Sequence, residues 1–312
     1  DVERSRGLGD VYKRQAALLL CGIVSLEAYA EDMLQPFIHA YTSNTTVEAE
    51  TLKVREALKA KQFNIVGEYT PFENAHVLAV TTDELAESGA ATEYGGFGAV
   101  NHVALTQADD GVQVSYLNPP YVAAAYRMES MPESVAKHLA EAVGAKKSFG
   151  TEEGRSADTL AKYHYMVGME YFPDVYELAS YKTHSDAVAA VEKGLSERAG
   201  GAAQVYKVVI PGSEQVLFGV SRAEVEDKRA NDGHILRDTI DAKAAMKSTP
   251  YLPYQMLVTG NEVVALHMRF RAAVFHPDLT MGTFGKLISS PGAIEDLLRK
   301  VAGGKSKKKF GF

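Results

Sequence analysis

The chain has 312 residues, of which 46% are hydrophobic and 23% charged, and its formal net charge is −7. That length suffices for two ordinary domains, and the composition is that of a globular protein rather than a disordered or fibrous one. The acidic balance excludes a general nucleic-acid binder, which would present a basic face, and the single cysteine, Cys21, excludes an internal disulfide and any cysteine-based zinc or iron–sulfur centre.

Residues 1–30 read as an address rather than as structure. Asp1–Gln15 is polar and looks like a non-native start. Ala16–Val24 is a short apolar run preceded by Lys13 and Arg14 and followed by Ala28-Tyr29-Ala30. This is the pattern of a signal peptide cleaved near Ala30, so a periplasmic or secreted protein is expected. The run is shorter than the roughly 20 residues that span a bilayer, and no transmembrane segment is expected in the mature chain. Leu20 before Cys21 is not the small residue that a lipoprotein signal requires. The basic run Lys305–Lys309 reads as a solvated tail.

The order of elements then becomes regular. Pro36–Ser43 reads as a strand, and Thr45 with Glu48 has capping-box spacing at the start of a helix. Phe63–Tyr69 and His76–Val80 read as strands around Pro71, and Thr81–Glu84 starts a short helix. Gly89–Gly98 is a glycine-rich connection. Val103–Gln107 and Val112–Leu117 form a hairpin through Asp110-Gly111. Asn118 is an expected N-cap with Pro119 in the first turn, and Pro132–Val143 is a helix stopped by Gly144.

The same order returns after a polar linker. Val175–Tyr181, Ser185–Glu197, Val205–Ile210 and Gln215–Val220 read as strand, helix, strand, strand. Ser221 and Glu224 suggest a further capping box. A longer, polar and helical segment, Arg222–Lys247, stands where the first half has glycines. Tyr254–Thr259 and Glu262–Met268 form the second hairpin, and Pro291–Ala302 is the last helix. Sequence anchors coincide as well: Tyr121–Tyr126 matches Phe270–Phe275, and Pro132, Val135, Leu139 and Gly144 match Pro291, Ile294, Leu298 and Gly303. Several coincidences in one order indicate an internal duplication. The expected organisation is repeat 1 over residues 31–150, a linker over 151–170 and repeat 2 over 171–312. Leu160–Tyr176, rich in tyrosine and methionine, is expected to form an aromatic helix or helix–turn across the join. The fold class is α+β, each repeat being an antiparallel sheet with helices packed on it.

The run Val112-Gln113-Val114-Ser115-Tyr116-Leu117-Asn118-Pro119 resembles the family known as domain of unknown function 302, whose members carry a valine-rich strand followed by Ser-Tyr-Asn-x-Pro and a short helix. Thr51–Lys61 and Phe63–Val66 look similar to it too. Gln215–Gly219 carries a weaker form in the second half. The resemblance implies fold and topology, and no activity.

Several residues are candidates for chemistry. Tyr116, Asn118 and Tyr121 sit at a strand end, where rigid scaffolds often place function; the same residues also suit a structural turn. At the position of Asn118 the second half carries His267. If the two shared a capping role, a capping residue would be expected there, so the difference points to a change of function. His267, Arg269 and Arg271 alternate, and on an extended segment they would share one face able to bind an anion. Asp232, His234 and Asp238 are the best metal-like set, yet catalytic zinc uses three protein ligands and no second cluster supports them. His164 with Met166 or Met169 could ligate haem, although methionine at such spacing more often builds core. No cofactor is therefore expected, with metal and haem as the alternatives. The expected function is an exported small-ligand-binding or accessory module that uses the crevice between two duplicated domains. The alternatives are a hydrolase or metal-assisted enzyme with histidine and carboxylate groups in that crevice, and a structural protein that binds a protein partner.

Overall fold

A computed structural model of the chain describes residues 33–305. The proposed export signal and Lys307–Lys309 lie outside the described residues. The fold is α+β, with two antiparallel sheets and helices packed on them. Among the described residues no helix is long and apolar enough to cross a membrane.

The first sheet contains β1 (Phe37–Ser43), β2 (Asn64–Tyr69), β3 (Ala75–Thr81), β4 (Asn101–Ala108), β5 (Gly111–Leu117) and β6 (Lys147–Phe149), in the order β2-β3-β4-β5-β1-β6. The second contains β7 (Val175–Ser180), β8 (Ala203–Ile210), β9 (Gln215–Ser221), β10 (Tyr254–Thr259) and β11 (Glu262–Leu266), in the order β8-β9-β10-β11-β7. The first five strands of the first order run in the same sequence as the five of the second, and β6 has no counterpart. The irregularities correspond too. A bulge interrupts β2 against β3 at Val66 and β8 against β9 at Val205, and another interrupts β1 against β5 at Ala40 and β7 against β11 at Leu178.

Alternation along each strand feeds two cores. On the outer face of the first sheet, Val103, Leu105, Val112 and Val114 meet α1 (Val47–Ala60), which offers Val54 and Leu58. They also meet α4 (Glu133–Val143), which offers Val135 and Leu139. On the outer face of the second, Phe218, Val220, Met256 and Val258 meet α6 (His184–Ser196) and α10 (Ser290–Val301) through Val191, Leu195, Ile294 and Leu298. The inner faces share a third core. It includes Phe37, Tyr206, Leu217 and Leu257, with Tyr121 of α3 (Pro119–Ala125) and Phe275 of α8 (Met268–Phe275). The layers therefore run helix, sheet, sheet, helix. Where β2 and β8 meet, a Cβ added at Gly67 would lie 2.1 Å from the Val205 carbonyl oxygen, so only glycine allows that approach.

A cavity of about 270 Å³ remains between Phe72, Thr106 and Gln107 of the first half and Arg237, Asp241 and Lys247 of the second, but most of the expected crevice is a filled interface. Its polar groups are paired across the join. His102 Nε2 lies 3.1 Å from the Tyr206 hydroxyl, which also accepts from Gln255 Nε2 at 2.9 Å, while Thr106 donates to Thr249 at 2.7 Å. Burying such groups unpaired would cost a few kcal/mol each. Residues 33–305 accordingly form one compact unit.

Local departures from expectation have identifiable causes. The N-cap of α1 is Thr46, not Thr45, and its side chain accepts from Ala49 N. Thr45 instead donates, with Tyr41 and Ser43, to the buried Glu50 carboxylate. Short α2 (Asp83–Ser88) is capped by Thr82 and α6 by Thr183. No helix follows Ser221 and Glu224. Arg222 turns inward there, its Nη2 lying 2.8 Å from Asp232 Oδ1, with both side chains 1% exposed or less. The segment expected to be helical, Arg222–Lys247, is mostly irregular. It holds only α7 (Asp232–Ile235) and a wide turn over Leu236–Ile240. Its far end docks on the first sheet, where Gln113 accepts from Lys247 N and donates to the Ala245 carbonyl. Asp241 staples that end by accepting from Ser248 N and Ser248 Oγ, each at 2.7 Å. Of the two forms expected for Leu160–Tyr176, the structure has the helix–turn: α5 (Ala157–Ala161) ends at its start, and turns lead into β7.

Candidate functional site

Of the residues singled out in the first half, none faces an open cavity. Tyr116 is 2% exposed within the outer core of its sheet, and burial pushes its hydroxyl up to about 12. Tyr121 is fully buried between the halves and donates to the Val274 carbonyl. Asn118 occupies the N-cap position, as expected, with Pro119 in the first turn. It precedes α3 without a side-chain cap bond; its amide nitrogen donates to the Gln35 carbonyl at 2.8 Å. The backbone just before β1 therefore claims this side chain.

The second half inverts the expectation. His267 is the capping residue of its pair: Nδ1 accepts from Arg269 N at 3.2 Å at the start of α8. The segment after β11 is helical, so His267, Arg269 and Arg271 share no extended face. Arg271 points inward and is 2% exposed. It donates to the Tyr251 carbonyl at 2.8 Å and stacks over the Tyr251 and Tyr254 rings at 4.5 and 4.3 Å. Burial, and then the Arg271 charge, push His276 down to about 3, which leaves that ring neutral. Arg271 is thus a buried structural cation held by tyrosine faces, carbonyls and neutral rings.

The metal-like trio is split by the same logic. Asp232 is drawn inside onto Arg222, whereas His234 and Asp238 stay at the surface 3.8 Å apart, and Arg237 Nε holds Asp238 at 2.7 Å. Among the described residues no group of three histidine, cysteine or acidic side chains could hold a metal ion. His164 stacks on Tyr171 with ring centroids 4.4 Å apart, Met166 is exposed, and Met169 turns towards a separate cavity.

That cavity, of about 380 Å³, contains two of the predicted residues, His267 and Arg269. It falls within the range of small-molecule sites. Its floor is the first turn of α8 with Tyr176 of β7. Its outer wall is Phe284 of α9 (Met281–Lys286), with Leu287 and Ile288 after it, and its far side is Pro291, Gly292 and Glu295 of α10. Tyr176 is fixed by accepting from Met268 N at 3.3 Å and donating to the Pro291 carbonyl at 3.0 Å, and its ring lies 4.2 Å from that of His267.

Two departures between the halves create the cavity. In the paired first and last strands of each sheet, Ile38 faces Tyr116 in the first half, whereas Tyr176 faces Ala265 in the second. The aromatic ring has moved to the neighbouring strand. The connection from α3 to α4 covers 126–132, but that from α8 to α10 covers 276–289 and contains α9. This extra length supplies the outer wall. The interval between the matched Phe275 and Pro291, longer than that between Tyr126 and Pro132, was the available signal for it.

Glu170, which sequence reasoning missed, organises the polar end. It binds Arg269 Nη2 and lies 3.3 Å from His267 Nε2, so both ring nitrogens of His267 are engaged. A lone acid in an aromatic stretch gave no pattern to detect. Glu295 is in turn held by Arg299, whose Nη2 donates at 2.8 Å. No protein-family model matches the chain, and neither a curated protein nor a solved structure matches it.

Proposed function

We propose that this chain is an exported, non-catalytic small-ligand-binding module whose ligand occupies the cavity between α8, α9 and α10. In this reading the chain carries two copies of a unit similar to the domain of unknown function 302 family, of which the second has been adapted. The observation that carries the reading is the α9 insertion, which walls off about 380 Å³ at the point where the halves otherwise correspond. The buried ends of both sheets serve stability, and most of the interface between them is packed core. The engagement of both His267 ring nitrogens supports binding over proton transfer, because a general base needs a free acceptor aimed at its substrate.

Gly292→Leu tests this directly. A Cβ added at Gly292 meets no heavy atom within 4 Å, so a leucine there enters the cavity without striking backbone. The expected result is a protein of unchanged or slightly raised melting temperature that no longer responds to compounds stabilising the parent in a thermal-shift screen. Retention of those responses by the variant would move the ligand elsewhere.

A further inference from the structure

We infer that the face formed by residues 162–173 and by α9 with the turn after it docks on an anionic lipid surface, an inference independent of the ligand reading above. Of the eight large apolar side chains exposed among the described residues, five lie on these two stretches: Met166, Val167, Tyr171, Met281 and Ile288. Val167 is 96% exposed and Ile288 78%. The stretches are joined to one another. The Tyr165 ring stacks on that of Phe284 with centroids 5.9 Å apart, and its hydroxyl lies 3.8 Å from the Met281 sulfur. Met169 and Ile288 line the same cavity. Large apolar side chains clustered in this way mark a contact surface, for a protein partner or for a membrane.

Charge decides between these occupants. The chain as a whole carries −7, yet residues 162–173 and 279–289 contain a single acid, Glu170. Its side chain is 15% exposed and is bound by Arg269. Asp174, just beyond, accepts from Tyr171 N at 2.8 Å. Against these stand Lys162 and Lys286, both exposed and neither in an ion pair with any of the described residues. Lysine is depleted in protein–protein interfaces. At a lipid surface its stem lies along apolar groups while its ammonium meets the phosphates. Shape points the same way. Val167 tips a turn closed by Met169 N, which donates to the Met166 carbonyl at 3.0 Å, and a Cβ added at the neighbouring Gly168 meets nothing within 4 Å. A fluid headgroup layer admits such a projecting side chain without a matching pocket, and the exposed Tyr171 ring, apolar with a polar tip, suits the same depth.

The test is sedimentation of the full chain with vesicles of pure phosphatidylcholine and with vesicles of phosphatidylcholine mixed with phosphatidylglycerol. Binding is expected to the mixed vesicles, weakening as salt is raised, and to be about tenfold or more weaker to the pure ones. Val167→Ser combined with Met281→Ser should lower affinity for the mixed vesicles by about tenfold or more, the loss expected when apolar side chains leave the contact. Lys162→Gln and Lys286→Gln should each lower it about fivefold, the fold-change that ~1 kcal/mol per lysine produces. All four side chains are exposed, so these substitutions leave the fold intact. Gly292→Leu should bind vesicles as the parent does; loss of binding there would assign the lipid to the cavity and overturn the docking face while the cavity reading stands. No binding, equal binding to the two kinds of vesicle, or binding unmoved by the four substitutions also overturns it. Self-association without vesicles that Val167→Ser abolishes would overturn it in favour of a second copy of the chain.

Discussion

Asp241 is where pH acts on this fold through a single group. Its carboxyl is 5% exposed, and burial pushes it from 3.8 up to about 6 against the opposing hydrogen bonds from Ser248 and the charge of Lys247. An acid whose folded-state pKa is raised penalises folding once the unfolded chain ionises. Below pH 3.8 both states keep the proton and there is no penalty. From there to about pH 6 only the unfolded chain releases it, so stability falls by about 1.4 kcal/mol per pH unit. Above that both states are ionised and the accumulated penalty levels off at about 3 kcal/mol. Asp241→Asn keeps the shape and an oxygen that accepts from Ser248 N, but does not titrate. The measurement is urea unfolding of parent and variant from below pH 3.8 to mildly alkaline pH. Taking the difference in unfolding free energy cancels every other titrating group. That difference should shift in the variant's favour by about 3 kcal/mol across the window and then stay constant. A difference that does not change with pH refutes the argument, because it would mean that Asp241 ionises as readily folded as unfolded.

Three further outcomes are expected. Gly67→Ala places a Cβ 2.1 Å from the Val205 carbonyl oxygen and should cost about 2 kcal/mol or more by prising β2 from β8; an unchanged melting temperature would show that the strands do not meet there. His267→Ala removes the α8 cap and should cost about 1 kcal/mol in denaturant unfolding, with His267→Asn recovering most of it; equal losses in both would assign the effect to the Tyr176 contact instead. At Glu50 burial raises the carboxyl, but hydrogen bonds from Tyr41, Lys53, Ser43 and Thr45 outweigh it and bring it down to about 2. Since that folded-state value is depressed, the stabilisation is present above pH 4.5 and is lost as pH falls towards 2. The gap between parent and Glu50→Gln should therefore close over that range in acid titrations followed by circular dichroism.

Much of the architecture was legible because strand alternation and turn chemistry are local. The Asp110-Gly111 hairpin and the glycine after α4 both lie where patterning puts them. What could not be read depended on partners distant in sequence. Arg271 in an alternating run with His267 and Arg269 looks solvated until Tyr251 and Tyr254 are seen to enclose it. Asn118 looks like a side-chain cap until the Gln35 carbonyl is seen to claim its amide. Asp232 looks like a metal ligand until Arg222, ten positions earlier, turns in to meet it. Of the candidate site, His267 and Arg269 were visible in the sequence, but Glu170 and the wall of α9 were not. Thr280, which caps α9 by accepting from Thr283 N, was the only local cue to that helix.

The shared central core has a consequence for biogenesis. In each sheet the first strand pairs with the last of its hairpins, β1 with β5 and β7 with β11, so a half closes only when its own final strand has emerged. The first half reaches that point only with β6, which adds to β1 at Phe149, yet Tyr121, His102 and Thr106 still wait for Phe275, Tyr206 and Thr249. At about 5–20 residues per second, the remaining stretch takes on the order of 10 s to synthesise. For that interval a completed sheet presents a sticky, half-polar face with nothing to cover it. A nascent chain stalled in this window should engage holdase chaperones, and one released after Phe275 should not.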